Sequence, residues 1–247
     1  VKFPCYASPK LNGVNSLFKL EDGVLNRYSR GGIIQPELVY LTNFVTAVLN
    51  EIGTNSVNAE LYKHGAFLED IDSASKKIND FSSQLELHAF EFPDMDIDYD
   101  DKIEVLSGSQ FLTPEVRVFE SHEELDTYHD ECVELGYEGI VIRNKGHRYE
   151  YNQRSSTVFK LKKAIDAEFK IIGMNIDKNN HPVLVFDNPK GLEEKHKTFK
   201  AKPKGTAEQK LKIVDKFEEK YLNNWYKVEM ESLSKYMVPA KPIGICL

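Results

Sequence analysis

The sequence predicts an α+β fold in two parts, a strand-rich region with antiparallel sheets over residues 1–163 and a small all-β region over 164–247. Three observations carry this. Short strand-like runs bounded by turn residues outnumber helical repeats in the first part. The charge balance shifts near Lys163: residues 1–163 hold 17 basic and 27 acidic side chains (net −10), and 164–247 hold 15 and 12 (net +3). The second part then reads as several short strands with one helix. A chain of 247 residues accommodates one large domain or two of ordinary size.

The elements follow in order. "VNSLFKLEDGVLNRYS" is two strands joined at Asp22-Gly23, a pair suited to a tight hairpin turn. From Pro36, Leu38, Leu41, Val45, Val48 and Ile52 recur at helical spacing until Gly53 ends the run. "SVNAELY" and "LELHAFEF" are strands. "SHEELDTYHDECVELG" is a helix with Ser121 and Glu124 spaced as a capping box and Gly136 as its stop. "EGIVIR" and "STVFKLKK" are further strands. The acidic stretches "LEDIDSASKKIND" and "FPDMDIDYDDKIE" read as a solvated outer face.

Beyond Lys163, "AEFKIIGMN", "HPVLVFD" and "WYKVEME" are strands, divided by a basic loop from Lys190 to Lys204 and a helix from Thr206 to Leu222. Such a set suits a small barrel of the OB type, with a sandwich left open by pattern alone.

No apolar run approaches the roughly 20 residues of a membrane span, and the first residues lack a signal-peptide pattern. A soluble, cytoplasmic protein without a membrane partner is expected. Cys5, Cys132 and Cys246 are odd in number and far apart, which fits neither a disulfide framework nor a zinc site. The net charge of −7 weighs against a nucleic-acid partner, but its uneven distribution leaves room for local contact with a phosphate backbone.

Lys10 stands in "YASPKLNGVN", between a proline and an Asn-Gly turn that would hold it at a strand end. A lysine attacks phosphorus or carbonyl carbon only when deprotonated, and its free pKa is about 10.4. Neighbouring cations or burial lower that value. Alone the pattern is weak, and a surface lysine is the simpler reading. Further residues change the balance: Arg30 before two glycines, Glu60 in an apolar strand, Phe90 beside Glu91, and Glu138 opening a strand. Lys160 and Lys162 are two apart and so share one face. A nucleophile, two carboxylates for a divalent ion, three cations for phosphates and an aromatic for a base make a phosphoryl-transfer set.

In this order the residues resemble the covalent nucleotidyltransferase superfamily of DNA ligases, RNA ligases and mRNA capping enzymes. "KLNG" is similar to its first motif, and "SRGG", "ELY", "HAFEF", "EGIVIR" and "FKLKK" to the later ones. "KKAIDAEFKIIGM" resembles the hinge into the OB domain of small ATP-dependent DNA ligases of viral or bacterial type, and "YKVEMESLSKYMVPAKPIGICL" the end of that domain. The resemblance implies an ATP-grasp-like nucleotidyltransferase (adenylation) domain over 1–163 and an OB-fold domain over 164–247. It implies ATP and Mg²⁺ or Mn²⁺ as cofactors and nicked duplex DNA as partner, with the protein a monomer.

By the same resemblance, Lys10 attacks the α-phosphate of ATP to form lysyl-AMP, and AMP then passes to the 5′-phosphate of a nick. Ser8 lies next to the adenine pocket and Phe90 stacks on adenine. Glu60 meets the ribose or the metal, and Glu138 the metal. Lys160 and Lys162 bind the α-phosphate, Arg30 the ribose or nick phosphate, and Arg154 the phosphate strand. Asn12 and Asn15 belong to the nucleotide site, yet they depart from the pattern of DNA ligases and lean toward RNA ligases. The arginine of the family's final motif would fall just after Leu247. An RNA ligase, a capping enzyme and a nick binder without turnover are the alternatives.

Overall fold

The computed structural model describes residues 1–245, which fall into two compact units, Val1–Lys162 and the residues from Lys163 onward. Cys246 lies outside the described residues, and Cys5 and Cys132 are free, buried thiols.

The first unit holds two four-stranded sheets. One has the order β6-β1-β7-β8, with β1 Cys5–Lys10, β6 Arg117–Phe119, β7 Gly139–Asn144 and β8 Val158–Lys162. The other has the order β3-β2-β4-β5, with β2 Val14–Glu21, β3 Val24–Ser29, β4 Ser56–Tyr62 and β5 Glu86–Glu91. All their pairings are antiparallel. The β2–β3 hairpin turns at Asp22 and Gly23, whose φ of 51° and 80° are what a two-residue Asp-Gly turn requires.

Helix α1 (Val39–Ile52) buries Leu41, Val45, Val48 and Leu49 against Phe18, Val57, Ala59, Leu61, Leu87 and Ala89 of the second sheet. Each Val, Leu or Phe side chain among these contributes about 1.5–3 kcal/mol of hydrophobic stabilisation. The helix ends at Gly53 in the left-handed conformation, its N–H bonded to Leu49 O. Helix α4 (His122–Glu134) packs Leu125, Tyr128 and Cys132 against Cys5, Ala7, Ile140 and Ile142 of the first sheet. The Ser121 hydroxyl caps it as expected, accepting from the Glu124 N–H at 3.2 Å. The Glu124 carboxylate, however, accepts from Glu120 N at 2.9 Å and not from Ser121, so the capping box is half formed.

The acidic segment is more than a solvated face. It supplies helices α2 (Leu68–Lys76) and α3 (Tyr99–Gly108), which bury Ile71, Ala74 and Ser75, and Tyr99, Lys102 and Leu106. Glu69 and Asp70, and Asp100 and Asp101, stand in the first turns of these helices, where negative charge is favourable.

The second unit contains a closed five-stranded barrel in the order β10-β11-β15-β12-β9. Its strands are β9 Ile165–Ile176, β10 Pro182–Asp187, β11 Thr198–Pro203, β12 Trp225–Met230 and β15 Ile243–Ile245, with a small hairpin of β13 Ser232–Leu233 and β14 Pro239–Ala240. Ile171, Leu184, Phe186, Phe199, Ala201 and Val228 fill it, and α5 (Ala207–Asp215) adds Ile213. The expected basic loop is in part strand β11. Phe199 and Ala201 point inward while Lys200 and Lys202 are exposed, a period-two alternation hidden by the lysines.

No helix among the described residues is long and apolar enough to cross a membrane.

Candidate active site

Alternation along the strands decides which side chains share the space between the two sheets of the first unit. In β1, β7 and β8, Cys5, Ala7, Ile140, Ile142, Phe159 and Leu161 pack with α4. Ser8, Lys10, Val141, Arg143, Lys160 and Lys162 alternate with them and take the opposite face. In β4 and β5, Val57, Ala59, Leu61, Leu87 and Ala89 pack with α1, which turns Asn58, Glu60, His88 and Phe90 the other way. These two faces line one cleft, since the Arg143 guanidinium lies 6.0 Å from the centre of the Phe90 ring.

Lys10 ends β1, where it pairs with Gly139 of β7, and Gly139 pairs in turn with Lys162 of β8. The Lys10 carbonyl accepts from the Glu138 N–H at 3.0 Å, which brings the Glu138 side chain into the same row. There its carboxylate contacts both ammonium groups, Lys10 through Oε2 and Lys162 through Oε1, the latter at 2.6 Å. The three side chains are largely enclosed, at 15%, 14% and 27% exposure for Lys10, Glu138 and Lys162.

Two glycines permit this approach. Gly139 has φ 143°, and a Cβ there would stand 2.1 Å from Leu161 O. At Gly13, in the turn after Lys10, a Cβ would stand 2.3 Å from Leu61 O and 2.8 Å from Glu60 Cγ. The turn can therefore lie against β4 beside Glu60 only without a side chain.

Glu60 faces this group from the second sheet. Burial pushes its carboxyl pKa up to about 7, against the opposing pull of Lys10, Arg30 and Lys160 and with a small push from Glu138. Lys160 is shifted the other way. Partial desolvation lowers its pKa first, then the positive charges of Arg30, Lys10 and Lys162, with Glu60 opposing. Arg30 is exposed in the turn after β3, yet close enough to act on both groups. Arg27, three residues earlier, is structural: buried, it donates to Pro36 O at 3.1 Å and Ser16 Oγ at 3.2 Å.

Glu60 and Glu138 are the carboxylates of the cluster. Among the described residues no group of three or more His, Cys, Asp or Glu could hold a metal by itself. Two carboxylates do suit Mg²⁺, an ion that commonly takes its other oxygens from water and substrate phosphates.

Farther along the cleft, Ser8 and Phe90 line a hollow of about 420 Å³ together with Tyr99, Ile103, Thr113 and Pro114. Arg143, which the motif reading passed over, lies 4.6 Å from the centre of the Tyr99 ring as well as near Phe90. Its position two residues beyond Val141 in "EGIVIR" was enough to place it on the cleft face. Asn15 pairs with Glu60 in the β2–β4 ladder, and its amide donates to Asn58 Oδ1 at 2.9 Å. Asn12 is half-buried in the turn between β1 and β2. Arg154 is not brought into the cluster; it is exposed, in the segment between β7 and β8.

No protein-family profile and no curated sequence matches the chain. Solved structures do. Pmar-Lig_PreS3 superposes with a TM-score of 0.78 over 98% of this chain at 16% identity, and the chain spans 63% of that protein's length. A Lig E DNA ligase gives 0.74 over 98% of this chain and 91% of its own, at 15% identity. The Chlorella virus DNA ligase–adenylate gives 0.52 over 99% and 93%, at 20% identity. The fold is therefore shared with solved DNA ligases: an α+β region with two antiparallel sheets, and a closed five-stranded barrel of the OB type.

Proposed function

We propose that this chain is an ATP-dependent DNA ligase that seals 3′-OH/5′-phosphate nicks in duplex DNA through a covalent lysyl-AMP. The observation that carries the reading is the meeting of Lys10 with Glu138 and Lys162, under Glu60, Lys160 and Arg30, beside a hollow of about 420 Å³ with Phe90 in its wall. The fold shared with DNA ligases, one of them solved as its adenylate, supports it.

In this reading residues 1–163 are the adenylation domain and 164–247 the OB-fold domain. The base enters the hollow between Ser8 and Phe90. The Lys10 amine gives up a proton, forms the N–P bond to the α-phosphorus, and the bond to the departing pyrophosphate breaks. Lys160 and Lys162 hold the α-phosphate, so that the charge developing on its oxygens meets fixed cations. Asn12, Asn15 and Glu60 surround the sugar. A magnesium or manganese ion held by Glu60 and Glu138 with phosphate oxygens would neutralise the leaving group. AMP then moves to the 5′-phosphate of the nick, held by Arg30 and Arg154. Attack by the 3′-hydroxyl joins the strands and releases AMP, a reaction suited to DNA replication and repair. The protein acts as a monomer in a cellular or virus-infected cytoplasm.

Nick joining tests this directly. Labelled nicked duplex DNA should be sealed with ATP and a divalent metal, with Lys10→Ala inactive. Asn12 and Asn15 favour a second reading, RNA joining, and preference for a nicked RNA over the DNA duplex would select it.

A further inference from the structure

Beside Phe90 the structure holds an ion pair that the proposed chemistry does not use. Glu91 and Lys102 contact each other with their side chains 4% and 1% exposed. Glu91 closes β5 and Lys102 lies in the first turns of α3. Removing one partner of a buried pair is strongly destabilising, whereas replacing both with well-packed apolar groups is often neutral. Core stability alone therefore gives no reason for ions here, while a directional link does.

The β4–β5 ladder shows what is linked. Ala59 pairs with Ala89, but Asn58 pairs with Glu91, so the register slips and Phe90 is the extra residue of a bulge. A bulge leaves its extra residue without a ladder partner and re-aims its side chain. Phe90 therefore needs another constraint. Glu91 supplies one, because its carboxylate accepts from Phe92 N at 3.1 Å and meets Lys102. One helical turn before Lys102, Tyr99 stands on α3 and lines the same hollow as Phe90. The Lys102 ammonium also lies 5.9 Å from the centre of the Tyr149 ring, which hems it in further.

We infer that the buried Glu91–Lys102 ion pair is a positioning device that locks the Phe90 bulge to α3 and so sets the width of the base-binding hollow. Glu91 and Lys102 touch no nucleotide; they act through Phe90 and Tyr99. The inference rests on the nucleotide reading of the cleft.

The test is single-turnover formation of the nucleotide adduct as a function of ATP concentration, in wild type, Phe90→Ala and the double variant Glu91→Met/Lys102→Met. Base–aromatic stacking is worth about 1–3 kcal/mol, or about 5- to 150-fold in half-saturation for Phe90→Ala. The double variant should fold, raise the half-saturating ATP at least about 5-fold and leave the maximal rate within about 3-fold. A structural lesion alone would lower the amount of active protein without moving half-saturation. Unchanged half-saturation in a folded double variant overturns the proposal. Glu91→Gln, which keeps the shape and removes the charge, provides the same split if the double variant does not fold; failure of both to fold makes the pair a stability element and also overturns it. Absence of any adduct in wild type would instead overturn the nucleotide reading, leaving the two failures distinguishable.

Discussion

Lys10 and Lys162 flank one residue, Gly139, in adjacent ladders, and both ammonium groups reach the same Glu138 carboxylate. The glycine holds this row together because any side chain there meets the Leu161 carbonyl and an unfavourable φ. Gly139→Ala should cost about 2 kcal/mol or more by denaturant unfolding and slow adduct formation in the folded fraction. Wild-type stability in that variant would contradict the row as described.

Lys160 lies two residues before Lys162 on the same cleft face, in the row of Ser8 and Val141. If it neutralises the α-phosphate, Lys160→Ala should slow lysyl-AMP formation by about 10-fold or more, the scale of a lost charge in a preorganised site. Rapid-quench measurement checks this, and an unchanged rate removes the role.

Glu60 gives a pH test. Its folded pKa of about 7 lies above the ordinary value near 4.5, so between those values the folded protein keeps a proton that the unfolded chain has released. Stability from this group therefore falls as pH rises from about 4.5 to 7 and is level above that. Glu60→Gln should match wild type at low pH and become the more stable protein by pH 8, by at most on the order of 3 kcal/mol. Denaturation midpoints at pH 5, 6, 7 and 8 measure the difference; a constant difference would place Glu60 outside the buried cluster.

Local signals in the sequence were enough for the Asp22-Gly23 hairpin, for α1 with its Gly53 stop and for the Ser121 cap, since each depends on residues within a few positions. Strand β11 was missed because Lys200 and Lys202 dominate its composition and mask the inner face of Phe199, Ala201 and Pro203. The pairing of Glu91 with Lys102 was invisible for a different reason: both lie in an acid-rich stretch, and only the packing of α3 on β5 buries them. At the site, two-residue spacing placed Lys160 and Lys162 on one face. Contact of Lys10 with Glu138, 128 positions apart, needed the β1–β7 register.

The exposed lysines of β11 and the turn after it offer a test of duplex contact. Lys200→Glu with Lys204→Glu should flatten the dependence of log K for nicked DNA on log salt by about 2, since each lost phosphate contact removes about 0.9 from the slope. An unaltered slope would move duplex contact elsewhere.

The most direct measurement is incubation with a divalent metal and α-labelled ATP, followed by denaturing separation and acid treatment. A one-to-one, acid-labile adduct on Lys10, absent in Lys10→Ala and absent with GTP, is the expected result. A wild-type protein that binds nicked DNA but never becomes labelled, or a label that persists in Lys10→Ala, would contradict it.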